Sequence, residues 1–403
     1  MTSPSTTPPT PPAAPPWRDR KRYAWLLGLA VPTLPFQAAA LVAVSDWSVL
    51  WWWGPFFAFV IIPVLDAIIG PDRENPPDEA IGRLEEDRYY RWCTYLYLPL
   101  QYAGLLYACL RWADGMSVPD ALGLAATVGV VAGVAINTAH ELGHKRETVE
   151  RRLARIALAQ AGYGHFYVEH NHGHHIRVAT PEDPASSRLG ESLWAFLPRT
   201  VAGSARSAWR LEARRLNRRR HPTWSYHNDV LTAWALTTLL FATLAAGFGP
   251  VVLPYLLVQA ACGILLLESV NYLEHYGLLR GRRPDGRYEH AAPRHSWNSN
   301  NTTSNIFLYQ LQRHSDHHAN PLRRYQTLRH FDEAPQLPSG YASMIVLAWA
   351  TPLWRRVMDP RVLAHYDDDV RRTNLHGPRA HRYGAPTVRS PRKASSRGRR
   401  PAR

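Results

Sequence analysis

VPDALGLAATVGVVAGVAINTAHELGH, residues 118–144, is predominantly apolar from Val118 to Ala139 and then presents His140 and His144 with no helix breaker before them. The apolar part has the roughly 20 residues that a membrane-spanning helix needs. A helix that continues past it places His140 and His144 one turn apart on one face. The segment reads as one long helix, a span whose polar extension carries two candidate metal ligands.

Outward from it, five further stretches have similar length and character: residues 23–44, 48–70, 93–112, 229–247 and 251–270. Short links join the first to the second around Asp46, the third to the fourth across Ala113 to Met116, and the fifth to the sixth across Phe248-Gly249-Pro250. The pattern predicts an all-α integral membrane protein of six transmembrane helices in three tight hairpins. The longer segments, 71–92, 140–228 and everything after Asn271, hold most of the Lys and Arg, as does the N-terminal run Arg18, Arg20, Lys21 and Arg22. The hairpin tips carry almost none besides Arg111, so the positive-inside rule places both termini in the cytoplasm.

Residues 1–16 are rich in Ser, Thr and Pro and contain no apolar core. They are expected to be disordered and not a cleavable signal, which leaves the first span as an uncleaved anchor. Residues 17–375 then form the membrane domain with a cytoplasmic helical cap, and 376–403 a basic disordered tail. A net charge of +15 does not point to nucleic acid, because the cytoplasmic loops and the tail account for it without a recognition motif. The three cysteines, Cys93, Cys109 and Cys262, form no CxxC pair, which excludes an in-chain rubredoxin-type or zinc-ribbon module.

Nine histidines fall in four clusters at the same topological boundary: His140 and His144; His170, His174 and His175; His275; and His314, His317 and His318. Within the multi-histidine clusters the spacing stacks imidazoles on one helical face. His275 closes the sixth span as that helix turns polar. Carboxylates flank the histidines: Glu141, Glu169, Glu274 and Asp316. They are expected to accept the outer N–H of the imidazoles and so fix the tautomer. His172 and the other scattered histidines read as ordinary solvated or packed residues. Nine neutral imidazoles exceed what one ion takes, so two metal ions with four or five nitrogens each is the economical count. Imidazole suits Zn, Cu, Fe and Ni alike. A site at the mouth of an apolar bundle has no evident use for hydrolysing polar substrates and suits O2 activation against an apolar molecule drawn from lipid, which favours iron.

The motifs His140-Glu-Leu-Gly-His144-Lys145, Glu169-His-Asn-His-Gly-His-His175, Asn271-Tyr-Leu-Glu-His-Tyr-Gly277 and Leu311-Gln-Arg-His-Ser-Asp-His-His-Ala319 resemble those of the integral-membrane alkane 1-monooxygenases. The likeness covers about residues 17–360. It extends to Asn75-Pro-Pro, Asp183-Pro-Ala-Ser, Asp285-Gly-Arg-Tyr-Glu-His290, His295-Ser-Trp-Asn-Ser-Asn300 and Arg324-Tyr-Gln-Thr-Leu-Arg329. The histidine boxes alone are shared with membrane desaturases and xylene-type hydroxylases; the segment around His275 is narrower.

The resemblance implies two non-haem iron ions and O2 as co-substrate, hydroxylating medium- to long-chain n-alkanes to 1-alcohols in the bacterial inner membrane. It also implies electrons from a separate rubredoxin, reduced in turn by an NAD(P)H-dependent reductase. A substrate channel is expected among the spans, lined by Phe57, Phe59, Val134 and Leu266. Ala58 occupies the position where some family members carry a bulky residue that limits chain length. Docking of an acidic donor is expected on basic cytoplasmic residues, Arg215 and Arg218 in the stretch 206–220, and Arg323, Arg324 and Arg329. The alternatives are a fatty-acyl desaturase or hydroxylase, against which Asn271 to Gly277 speaks, and a non-catalytic metal-binding or transport protein. A transporter should bury ionisable ligands at mid-span; Asp66 is the only acid well inside the first five spans, and the histidines sit at span ends.

Overall fold

The computed structural model describes residues 17–383, all helices and connecting loops, with only isolated β-bridges. The expected disordered head, 1–16, and most of the expected tail lie outside the described residues. The described start of that tail is folded: residues Gly377–Tyr383 form a 3-10 turn, and the Tyr383 hydroxyl donates to Asp359 at 2.6 Å.

The helix read first from the sequence is α4, Val118–Gly143. Ser117 caps it, accepting from the Asp120 backbone N–H, and Pro119 and Asp120 occupy its first turn, where a missing N–H and a negative charge both suit a helix start. In its most apolar 18-residue window 78% of residues are buried, which makes it the central post of the bundle. Its partner is α8, Leu253–His275. The two backbones approach through small residues: a Cβ on Gly133 would lie 2.9 Å from Leu266 Cδ1, one on Gly263 3.0 Å from Ala132 Cβ, and one on Gly129 would overlap Cys262. Small residues at a helix interface allow this approach inside a membrane, where packing replaces the hydrophobic effect as the force between helices.

Among the described residues, four helices are long and apolar enough to cross a membrane: α2 (Ser48–Ile69), α4, α7 (Asp229–Phe248) and the run Pro250–His275 that contains α8. The expected first span is instead two pieces, Ala24–Ala30 and α1 (Leu34–Ser45), bent by 68°. Pro32 at the break and Pro35 just after it lack the N–H that a continuous helix requires. Counted as one span, this pair makes a fifth. The expected third span is divided as well, into Arg88–Tyr95 and the 17-residue α3, Tyr97–Ala113. The hairpin between α7 and α8 turns at Gly249, whose φ of 87° favours glycine, followed by Pro250. α7 exposes apolar side chains such as Leu239, consistent with a lipid-facing surface.

Around the polar ends of α4 and α8 lie α5 (Thr148–Ala159), α6 (Leu193–Arg218), α9 (Tyr341–Trp349) and α10 (Thr351–His365). The core shared by α6, the end of α8, α9 and α10 joins Phe196, Tyr272, Tyr276, Tyr341, Trp354 and Met358. It fixes the end of α8, and with it His275. Asp66, the acid inside the second span, accepts from the Ser304 N–H at 2.9 Å and from its hydroxyl, so it ties α2 to the short helix Thr302–Phe307.

Candidate metal centre

The nine clustered histidines converge in two groups: His140, His144, His170, His175 and His317 in one, and His174, His275, His314 and His318 in the other. Within each group the ligand atoms all lie within 4.8 Å of one another. Nε2 atoms face inward. In the first group His140 and His317 approach to 2.8 Å, and His175 lies 3.0 Å from both His170 and His317. In the second, His314 lies 2.8 Å from His318 and 3.2 Å from His275.

The local backbone decides which ring joins which group. His140 and His144, four apart on an α-helix, share a group. The stretch His170–His174 is a π-turn, whose i to i+5 periodicity brings His170 and His175 together and sends His174 to the other group. In the helix His314–Ala319, His314 and His318 share a face while His317 turns to the first group. His172 is exposed and outside both.

These residues fit metal ions. Burial, reinforced by neighbouring histidines, holds His170, His175, His314, His317 and His318 well below the ordinary imidazole range, so they are neutral and offer lone pairs at pH 7. Facing lone pairs repel unless a cation lies between them. His144 Nε2 is buried without a hydrogen-bond partner. This is a histidine-rich metal-binding site.

The flanking carboxylates divide. Glu274 Oε2 lies 3.2 Å from His314 Nε2, the inward-facing nitrogen and not the outer one it was expected to hold, while Oε1 accepts from the Tyr341 hydroxyl at 3.0 Å. The other three hold partners other than imidazole: Glu141 pairs with Lys145 at 3.0 Å, Glu169 with Arg177 at 2.6 Å, and Asp316 with both the Arg323 side chain and the Arg329 N–H. Neighbouring residues on a helix point about 100° apart, which directs these acids away from the ring beside them. The acceptors that do hold an imidazole Nδ1 are distant in sequence: Asp183 on His174 at 2.9 Å, and the carbonyl of His295 on His275 at 3.3 Å. Both residues lie in segments that resemble the family's motifs, but nothing in their spacing points to this role.

A cavity of about 100 Å3 reaches the site from between the helices. Its lining includes Phe57, Ala58, Phe59, Val134 and Leu266, and it ends at His140, His170 and His314, so both groups border it. α2 contributes through a π-turn at Phe57–Ile61. The expected docking arginines are largely engaged within the protein: Arg215 binds Glu212 through two nitrogens, Arg323 binds Asp316, and Arg324 binds Glu147 and Glu150. Arg218 is exposed.

Residues 119–383 match the fatty acid desaturase family model. The chain is 47% identical over 365 residues to an alkane 1-monooxygenase of Acinetobacter baylyi, covering 89% of each chain. It is 46% identical over 361 residues to alkane 1-monooxygenase 1 of Alcanivorax borkumensis, again covering 89% of each. The hydroxylase component of a xylene/toluene monooxygenase from Pseudomonas putida is more distant, at 26% over 322 residues, 79% of this chain and 84% of that protein. With its histidine groups, its apolar cavity and these relatives taken together, the chain belongs to the alkane 1-monooxygenases within the fatty acid desaturase family.

Proposed function

We propose that this enzyme uses O2, two electrons and two protons to hydroxylate the terminal carbon of medium- to long-chain n-alkanes, giving a 1-alcohol and water. The observation that carries the reading is the apolar cavity ending on imidazoles of both histidine groups. One iron ion would be held by His140, His144, His170, His175 and His317, and a second by His174, His275, His314 and His318; when bound, they supply the O2 activation that protein side chains lack.

The chain's own residues supply position. A methyl C–H bond is stronger than a methylene C–H bond, so terminal attack requires geometry that admits the chain end first. Phe57, Val134 and Leu266 wall a narrow passage that guides an extended chain and excludes water from His140, His170 and His314. Ala58 leaves the passage wide at its own position. The expected topology places the site on the cytoplasmic side of six spans in the bacterial inner membrane, with both termini cytoplasmic. Rubredoxin and an NAD(P)H-dependent reductase supply the electrons.

Whole-cell conversion of an n-alkane series with a co-expressed rubredoxin system tests the reading. It predicts 1-alcohols; no alcohol from any chain length, despite bound iron, contradicts it. Ala58→Trp is expected to shorten the preferred alkane. An unchanged product profile across chain lengths would remove Ala58 from the channel.

A further inference from the structure

A row of aromatic rings runs from the first histidine group to the surface and takes no part in the function proposed above. The His170 ring is stacked on Phe166 with centroids 4.8 Å apart, and Phe166 is stacked on Tyr163 at 6.3 Å. His165 lies 4.4 Å from Tyr163 and 6.2 Å from Trp234 of α7. Trp234 stacks on Trp209 of α6 at 6.3 Å, with planes 8° apart, and Trp209 lies 4.9 Å from Trp224. Tyr163, near the inner end, is 1% exposed, whereas Trp224 at the outer end is 78% exposed. The loop that carries Tyr163 is pressed against α7, since a Cβ on Gly164 would lie 2.6 Å from Ala233 Cβ.

Tyr and Trp give up one electron readily to a strong oxidant, and a phenol must lose its proton in the same step. A proton acceptor is already in place. The Tyr163 hydroxyl donates to Glu268 Oε1 at 2.6 Å. Glu268 is itself buried, and Thr200 and Asn271 donate to its other oxygen at 2.8 and 3.1 Å, which orients it toward Tyr163. A second aromatic row, Tyr325, Tyr90, Tyr89 and Tyr23, also reaches the surface. Among the described residues none of its rings stacks on a metal-binding histidine. Chemistry also fixes the direction of flow. Neutral Tyr and Trp rings accept no electron from a mild reductant, so the row cannot load the site from outside; it conducts only when the site withdraws an electron from Tyr163.

Resting on the O2 activation proposed above, we infer that this row lets oxidising equivalents escape when no alkane is bound, and so gives the enzyme a second activity, oxidation of a small thiol at Trp224. Phe166 lines the alkane passage as well as the row, so both routes start from the same place. Once O2 has taken two electrons and two protons and one water has left, two oxidising equivalents remain. One electron passes from Tyr163 to the site while its phenolic proton moves to Glu268. Trp234 then reduces the tyrosyl radical and the proton returns from Glu268. Trp209 and Trp224 in turn replace the missing electron, and a thiol at the surface supplies it to Trp224 and releases one proton to solvent. Two such passes, with two protons taken up at the site, give the second water, and the two thiyl radicals join as a disulfide. The sum is O2, two carrier electrons, two protons and two thiols going to two waters and one disulfide.

The test uses full-length, iron-loaded protein in detergent, reduced with dithionite, freed of excess reductant and mixed with O2 in the absence of alkane. Freeze-quench electron paramagnetic resonance reads the radical, with metal content and circular dichroism matched between variants. The unmodified protein is expected to give a Tyr or Trp radical that reduced glutathione removes. Tyr163→Phe should lower the radical yield by about 10-fold or more, and mass spectrometry should find more oxygen added to Phe166. Trp209→Phe should retain a buried tyrosyl signal that glutathione removes about 10-fold more slowly. Trp194→Phe, at an exposed Trp of α6 outside the row, should change neither quantity by more than about twofold. No organic radical from the unmodified protein overturns the inference, as does full radical yield in Tyr163→Phe or an equal effect from Trp194→Phe. Removal by glutathione in Trp209→Phe within about twofold of the unmodified rate also overturns it, and this half-buried site decides alone if Tyr163→Phe does not fold. Alkane hydroxylation is measured alongside. A radical without any alcohol would sink the function proposed above and leave the row standing, whereas alcohol without a radical would sink the row alone.

Discussion

His140, His144, His170, His175 and His317 come from α4, the π-turn segment and the helix His314–Ala319; His174, His275, His314 and His318 come from the same two short segments and α8. The groups thus share two elements and differ in the long helix that completes each. The close approach of α4 and α8 at Gly129, Gly133 and Gly263 is what holds the two groups side by side. They also differ in how their rings are held. Two of the four rings in the second group have an Nδ1 acceptor, Asp183 or the His295 carbonyl. No ring of the five-histidine group has such an acceptor among the described residues. The first group relies on packing and ligand number, the second on hydrogen-bonded orientation.

The largest effect should come from removing a ring. His275→Ala and His144→Ala are each expected to lower bound metal from two to about one equivalent, because ligand loss removes binding energy from one group only. Loss of both ions from either variant, measured by metal analysis of purified protein, would show that the groups are not independent. Acidification should follow. A pKa held below the unfolded value of 6.5, as burial does for His170, His175 and His317 in one group and His314 and His318 in the other, gives stability that is complete above that pH. It is lost as pH falls below 6.5 toward the folded-state values. Thermal unfolding of the metal-free protein should accordingly shift downward below pH 6.5; a constant midpoint would contradict the sign.

Gly129→Leu forces α4 from α8 at the contact with Cys262 and should destabilise the protein by about 1–3 kcal/mol, read as a loss of thermal stability together with altered metal spacing. Retained stability would mean that the helices separate freely without disturbing the groups. The most selective change is Asp183→Asn. It should weaken metal binding about 10- to 100-fold in the four-histidine group alone, since an outer hydrogen-bond acceptor is lost. Glu169→Gln, which removes a partner of Arg177 and no imidazole acceptor, should leave metal affinity within about twofold. Equal losses from both substitutions would erase the proposed difference between the groups.

Much of this was legible in the residues. The apolar length of 118–139 gave the central helix, and histidine spacing marked every ring that converges. What spacing did not reveal was the division between groups, because a π-turn and an α-helix of the same sequence send His174 to different partners. The Nδ1 acceptors were hidden for another reason: Asp183 and the carbonyl of His295 reach their rings through tertiary folding, whereas the adjacent acids Glu141, Glu169 and Asp316 are turned by helical geometry toward other partners. The bend in the first span was signalled by Pro32 and Pro35, yet total hydropathy alone reads that stretch as continuous.

Anomalous scattering at the iron edge from the iron-loaded protein tests the division into two groups most directly. The expected result is two peaks, one bounded by His140, His144, His170, His175 and His317 and the other by His174, His275, His314 and His318. A single peak, or His174 and His170 on the same ion, would contradict it.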